Sequence, residues 1–206
     1  AAYYESTQAH QQLNEVAKQK AENEGTKFYR TESASHSTRN DGARFNYNSI
    51  STFSSVASAA MQEYYNQIGM QTSFNAYSYY GHTPLTAALF SIKYEFTSDK
   101  PSLPKNMTEI GTQSYQTETN VPSTIHLYEY NNTLPLGFMM NMSTDANWDK
   151  ETGNPFMTQN NFVKSAVNGG SNIFHKLQTS DTVGTFTAAY QLDEGDTFKP
   201  TKKEQT

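Results

Sequence analysis

Cysteine is absent from the 206-residue chain, which excludes a disulfide framework and any thiolate metal site. Charge is scarce: Asp, Glu, Lys and Arg make up 17% of residues and the hydrophobic set 35%. Much of the surface must therefore be covered by Asn, Gln, Ser and Thr. The net charge is −5, and the densest basic run, Lys199 to Lys203, lies in the tail beside Glu204. A phosphate backbone needs clustered Lys and Arg, so no nucleic-acid partner is expected. No run approaches the about 18 apolar residues of a membrane span, and the start lacks the charged-then-apolar pattern of a signal peptide. The expectation is either a soluble protein or a piece of something longer. Tryptophan occurs once, as Trp148, against 14 Tyr and 12 Phe, which predicts a core that is aromatic more than aliphatic.

The usual chemical motifs are missing as well. The histidines His10, His36, His82, His126 and His175 are dispersed, and none stands at metal-ligand spacing from another ligand. There is no glycine-rich phosphate loop and no nucleophile elbow. No metal or other cofactor is expected.

What is present reads as alternating strands and helices. Glu5 to Glu24 is made of good helix formers with no proline or glycine. Its apolar positions Ala9, Leu13, Val16 and Ala17 form a narrow stripe, which predicts a loosely docked connector. Lys27 to Ser33 is a strand in which Arg30 and Glu32 share a face, as a surface ion pair or a brace. Ser35 to Tyr47 reads as a polar loop with turn chemistry at Asn40-Asp41-Gly42. Val56 to about Ile68 is a helix, capped by Ser54 or Ser55 and ended by Gly69.

The organising stretch runs from Phe74 to Phe96. Phe74 to Tyr80 is a strand, Gly81 breaks it, Thr83 caps a helix that opens on Pro84, and Leu85 to Ser91 continues it. Ile92, Tyr94 and Phe96 then alternate with Lys93 and Glu95, the pattern of a strand with one buried and one wet face. Thr97 to Ser123 reads as a surface loop holding at most a short hairpin. Ile125 to Tyr130 and Leu134 to Met140 follow as a strand and its return, with Pro135 confining the second to an edge. Asn154 caps a helix with Pro155 in its first turn, buried through Phe156, Phe162, Val163 and Val167 and stopped by Gly169-Gly170. Ile173 to Leu177 and Thr182 to Leu192 are β-like.

The predicted fold is α/β, with α+β open: a mixed β-sheet with helices packed on it as a layered sandwich, a loose N-terminal helix and a β-like C-terminal segment. Three regions are expected: a connector at 1–26, a domain at 27–170 and a segment at 171–206 leading onward.

Few residues stand out chemically. Glu95 and Glu129, each on a strand, could converge as a carboxylate pair for glycoside hydrolysis; a solvent-facing sheet explains them more simply. His82 sits in a glycine turn before a helix, where it could meet an anion or a sugar hydroxyl or serve as an ordinary turn residue. Tyr47, Tyr77, Tyr79, Tyr80 and Trp148 could offer platforms for sugar rings, though aromatics are more often core.

Four pieces in order resemble a known family. They are Phe28-Tyr29-Arg30-Thr31-Glu32; Asn46-Tyr47-Asn48-Ser49-Ile50-Ser51-Thr52-Phe53-Ser54-Ser55; Thr83-Pro84 with Ile92-Lys93-Tyr94; and Leu127-Tyr128-Glu129-Tyr130-Asn131 running into Leu134-Pro135-Leu136-Gly137-Phe138. Together they resemble the extracytoplasmic region of the YfhO family of bacterial polytopic membrane proteins, from about Lys27 to the helix ending near Gly169.

The resemblance implies a fragment of a longer membrane protein with a GT-C-type glycosyltransferase body. Such enzymes take sugar from a polyprenyl-phosphate carrier and transfer it, outside the membrane, to an envelope polymer of the lipoteichoic acid type. The implied partners are the membrane-embedded remainder of the same protein and an envelope glycan or polyprenyl-linked sugar. GT-C catalytic carboxylates lie beside membrane helices, so no catalytic residue transfers to this chain. The expected role is to position the acceptor or support the catalytic part, with Arg30, Glu32, Tyr47, Tyr80, His82 and Trp148 as candidate binding residues. The alternatives are a stand-alone surface module that binds a glycan or solute, and a hydrolase built on Glu95 and Glu129.

Overall fold

The computed structural model describes residues 5–34, 36–98, 106–176 and 190–192. Contacts group the chain into two compact units, Ala1–Met139 and Met140–Thr206, whereas the sequence reading draws its boundary near residue 170.

The first unit is built on a four-stranded mixed sheet of β1 (Arg30–Ser33), β5 (Ile92–Thr97), β7 (Pro122–Tyr130) and β6 (Met107–Gln116), in that spatial order. β1 runs parallel to β5, and the other neighbours are antiparallel. A three-stranded antiparallel sheet, β2 (Thr52–Phe53), β4 (Ala76–Tyr77) and β3 (Thr72–Ser73), stands beside α2 (Asp41–Phe45), α3 (Ala59–Gln67) and α4 (Pro84–Leu89) in the same unit. The mixed sheet with helices is the predicted fold class.

Helix α1 (Thr7–Asn23) is not the loose connector expected. Ala9, Leu13, Ala17 and Ala21 are buried against Tyr94, Phe96, Ile125 and Leu127. The stripe is narrow because alanine lets the helix axis come close to the sheet. Gly111 of β6 makes room for it, since a Cβ there would lie 3.0 Å from the Leu13 side chain. At the helix's C-terminal end Lys20, Glu24, Lys93 and Glu129 form an alternating ion network, with Lys93 Nζ 2.9 Å from both Glu24 and Glu129 carboxylates.

Strand β5 departs from the expected alternation. Its register with β1 slips between Arg30 and Thr31, with partners Ile92 and Tyr94, so Lys93 is an extra residue. Glu95 is buried rather than wet, because both faces of this central strand are covered: α1 packs on one, and the segment that includes Tyr79 and α4 lies on the other.

Two other expectations fail. Strand β6, ten residues long, lies inside the stretch read as a loop. It is an edge strand whose half-buried positions include Gly111 and Gln113 beside Ile110 and Tyr115, so its sequence lacks the regular apolar alternation that marks a half-buried strand. The stretch 134–140, expected to return as a strand, forms none; the backbone N–H of Leu134 and the hydroxyl of Thr133 instead bond the carbonyls of Ala88 and Ile92. The expected strand at Phe74 to Tyr80 shrinks to β4, with Phe74 in the preceding turn, and the loop at Asn40-Asp41-Gly42 starts α2.

The caps agree better. Thr83 accepts from Thr86 N–H in a reciprocal capping box with Pro84 in the first turn, and Asn154 accepts from Phe156 and Met157 at the start of α6 (Pro155–Ala166). For α3 the cap is Ser58 rather than Ser54 or Ser55. Gly81, at φ +84°, brings its chain onto the carbonyl of Gly69 so closely that a Cβ would collide with that oxygen.

The second unit contains α5 (Thr144–Asn147), α6 and the two-stranded pair β8 (Phe174–Lys176) and β9 (Tyr190–Leu192). Asn160 ties α6 to β8, accepting from the N–H groups of Ile173 and Phe174 and donating to the Phe174 carbonyl. The remainder of the predicted 182–192 strand lies outside the described residues.

Candidate functional site

A cleft of about 510 Å³ opens on the first unit, lined by Phe28, Arg30, Asn40, Gly42, Ala43, Tyr47, Asn48, Ser49, Ser51 and Thr52. Three local devices shape it. Asn46 takes the left-handed conformation at φ 61° and ends α2, turning the chain so that the half-buried Tyr47 ring lies 5.6 Å from Phe96 in the core. Asn40 exchanges two hydrogen bonds with the backbone of Phe53, at 2.8 and 3.1 Å. Asn48 joins β1 to the cleft, its carbonyl accepting from Thr31 N–H and its side chain donating to the Tyr29 carbonyl.

Arg30 is the one ionised side chain on the lining. Its guanidinium packs over the Phe28 ring at 5.0 Å and donates to the Phe90 carbonyl across 2.7 Å. Glu32 does not pair with it. The Glu32 carboxylate is buried under the cleft floor and accepts from Ser49 Oγ at 2.7 Å, Ser51 Oγ at 2.9 Å, Ser51 N–H at 3.2 Å and Ile50 N–H. With the Arg30 guanidinium held by the Phe90 carbonyl and the Glu32 oxygens taken by these donors, the ion pair expected on this strand does not form. Burial pushes the Glu32 carboxyl up to about 7, against the pull of those four donors. Ser49 thus has a hydroxyl beside a group that titrates near neutrality, yet both carboxylate oxygens are already occupied. That arrangement holds the loop 49–51 to β1 and leaves no free base.

A second polar cluster lies on the same sheet face, joined to the first through the Ser51 hydroxyl, which donates to Glu32 and accepts from the Tyr79 N–H. Glu95 Oε2 accepts from the hydroxyls of Tyr79 at 2.7 Å and Tyr130 at 2.9 Å. His82 stacks on the Tyr79 ring with centroids 3.7 Å apart and sets its Nε2 3.2 Å from the Tyr130 hydroxyl and 3.5 Å from Glu95. Burial lowers the His82 pKa, with Glu95 pulling the other way, and burial raises the Tyr79 pKa well above its ordinary value.

Glu95 and Glu129 do not converge. Tyr94 pairs with Glu129 and Glu95 with Tyr128, so the two carboxylates point to opposite faces of the sheet. That removes the hydrolase reading, and among the described residues no group of acidic and imidazole side chains is placed to hold a metal.

The sequence profile described as bacterial membrane protein YfhO matches residues 1–205. The chain belongs to the YfhO family. Comparison with curated proteins and with solved structures returns no match. Among the described residues of this YfhO chain, no helix is long and apolar enough to cross a membrane.

Of the six predicted binding residues, Arg30 and Tyr47 meet in the cleft. Glu32 lies buried beneath it. Tyr80 stacks on His36 with centroids 4.1 Å apart, and His82 belongs to the Glu95 cluster. Trp148 is in the second unit, packed edge-on against Phe162 and donating its indole N–H to the Thr158 carbonyl at 2.9 Å. Sequence reading missed Asn40 and Asn48 as cleft residues. Asn40 carries only the signal of turn chemistry, which marks a bend and not what the bend faces, and Asn48 stands in the same family motif as Tyr47 without a ring or charge to single it out.

Proposed function

We propose that this YfhO domain lies on the extracytoplasmic side of the membrane and positions an envelope glycan acceptor of the lipoteichoic acid type. The glycosyltransferase body of the GT-C type, using a polyprenyl-phosphate sugar, is the membrane-embedded remainder of the same protein. The observation that carries the reading is the cleft's lining: one guanidinium, two carboxamides, serine and threonine hydroxyls and two aromatic rings. Carboxamides and hydroxyls match the hydrogen-bonding groups of a polyol, rings match the apolar face of a sugar, and Arg30 supplies the cation that a phosphodiester requires. The lining has no nucleophile with a free base, which agrees with a positioning role.

The test is titration of the isotope-labelled chain with glycerol-phosphate oligomers and, separately, with neutral oligosaccharides. Saturable amide shifts confined to residues around Arg30, Tyr47 and Asn48 are expected with the phosphate-bearing oligomer. Arg30→Ala should weaken that response by about tenfold, as loss of a charge-assisted contact implies. A flat titration at millimolar ligand overturns acceptor binding and leaves the domain as a support for the membrane-embedded part.

A further inference from the structure

The small sheet ends in a projection that the cleft does not use. Phe74 occupies the two-residue turn between β3 and β4, followed by Asn75 at φ 55°. The N–H of Ser54 donates to the Asn75 carbonyl at 2.9 Å, which sets the end of β2 beside that turn. Phe53, Val56 and Phe74 are therefore carried at one end of the sheet, with 57%, 87% and 86% of their surfaces exposed. The projection is held in place rather than frayed, since Asn40 grips both the N–H and the carbonyl of Phe53.

Its electrostatic setting is unusual for an exposed surface. Between Arg44 and Lys93 the sequence contains a single Asp, Glu, Lys or Arg, namely Glu63. The stretch supplies β2, α3, β3, β4 and α4, so these elements bring almost no ionised group of their own to desolvate; from outside the stretch, Arg39 donates to Gln71 at the base of β3, away from the turn that carries Phe74. A surface that sheds no charge matches an uncharged apolar phase, and aromatic side chains on a rigid turn gain by leaving water for it. The chain belongs to a membrane-protein family, which puts such a phase within reach.

We propose that Phe53, Val56 and Phe74 form a membrane-contact tip that dips into the interfacial region of the lipid bilayer. The occupant is lipid with net-neutral headgroups, because the tip offers no basic residue to anionic ones. Asn40 and Thr52 line the cleft next to the tip, so insertion brings the cleft mouth to the membrane surface. The inference rests on membership in a membrane-protein family and not on the glycan reading of the cleft.

The cysteine-free chain allows a clean test. Val56→Cys and, as control, Met142→Cys are each labelled with an environment-sensitive fluorophore and mixed with phosphatidylcholine vesicles at millimolar lipid. An emission increase and blue shift at position 56, none at 142 and no dependence on salt are expected. The double variant Phe53→Ser/Phe74→Ser, with its fold verified by circular dichroism, should lower the vesicle-bound fraction about tenfold, in proportion to the apolar area removed. The proposal is overturned by unchanged emission at position 56, by equal binding of the double variant, or by binding that needs anionic lipid and vanishes in salt. The vesicles contain no glycan, so either outcome leaves the cleft titration to be decided separately.

Discussion

The Tyr79 hydroxyl reaches the Glu95 carboxylate at 2.7 Å, joining the turn ahead of α4 to the central strand of the sheet. Tyr130 supplies the second donor from the neighbouring strand. A carboxylate taken from water is tolerable only while such donors remain. Tyr79→Phe and Tyr130→Phe should each cost about 1–3 kcal/mol, the usual effect of stripping a donor from a buried charge. Because the two hydroxyl oxygens lie 2.7 Å apart and share one carboxylate oxygen as acceptor, their effects should be non-additive in a double-mutant cycle read by urea denaturation.

The Glu32 carboxyl, raised by burial to about 7, holds its proton more tightly in the folded than in the unfolded chain. Its stabilising contribution is therefore full below the unfolded pKa and is lost as pH rises through 7. Subtracting the stability–pH curve of Glu32→Gln from that of the wild type should expose a decline of about 3 kcal/mol between pH 4.5 and 7.5. Glu32→Ala, which takes the carboxylate acceptor from the buried Ile50 N–H and from the Ser51 hydroxyl, should be the more damaging change at every pH.

His82 works with the opposite sign. Burial lowers its pKa below the ordinary histidine value, so the unfolded chain takes up a proton that the folded chain resists. Stability is lost as pH falls below about 6.5. Thermal melts of His82→Gln should lack this acid-side loss relative to wild type, while the decline attributed to Glu32 persists.

Two glycines with positive φ separate close approach from mere backbone strain. At Gly81 a methyl group would meet the Gly69 carbonyl, whereas at Gly153 it would enter open space. Gly81→Ala should cost more than about 2 kcal/mol, from overlap added to left-handed strain, and Gly153→Ala only about 1 kcal/mol. Equal losses in chemical denaturation would contradict the contact.

Leu13 packs against the sheet at the gap left by Gly111. Leu13→Ala should lower stability by about 2–5 kcal/mol, as expected of a core leucine. A connector helix would show almost no change.

Local chemistry made several elements legible in the sequence. Thr83-Pro84 and Asn154-Pro155 start helices because a side-chain oxygen and a proline satisfy the first turn without help from the rest of the fold. The alternation of Ile92, Tyr94 and Phe96 located β5, and the family resemblance rested on motifs contiguous in the chain. Arg30 and Tyr47 were legible as cleft residues only as members of those motifs.

Burial and pairing were decided by tertiary structure. Nothing beside Glu95 announces that Tyr79 and Tyr130 will enclose it, and only the register of β5 against β7 turns Glu129 to the other face. The alanines of α1 read as a weak stripe until Gly111 admits the helix to the sheet. β6, polar and at the edge, exists as a strand because β7 supplies its hydrogen-bond partners. Caps and periodicity are properties of a few neighbouring residues, whereas a buried carboxylate or an edge strand is stable only through partners far away in the chain.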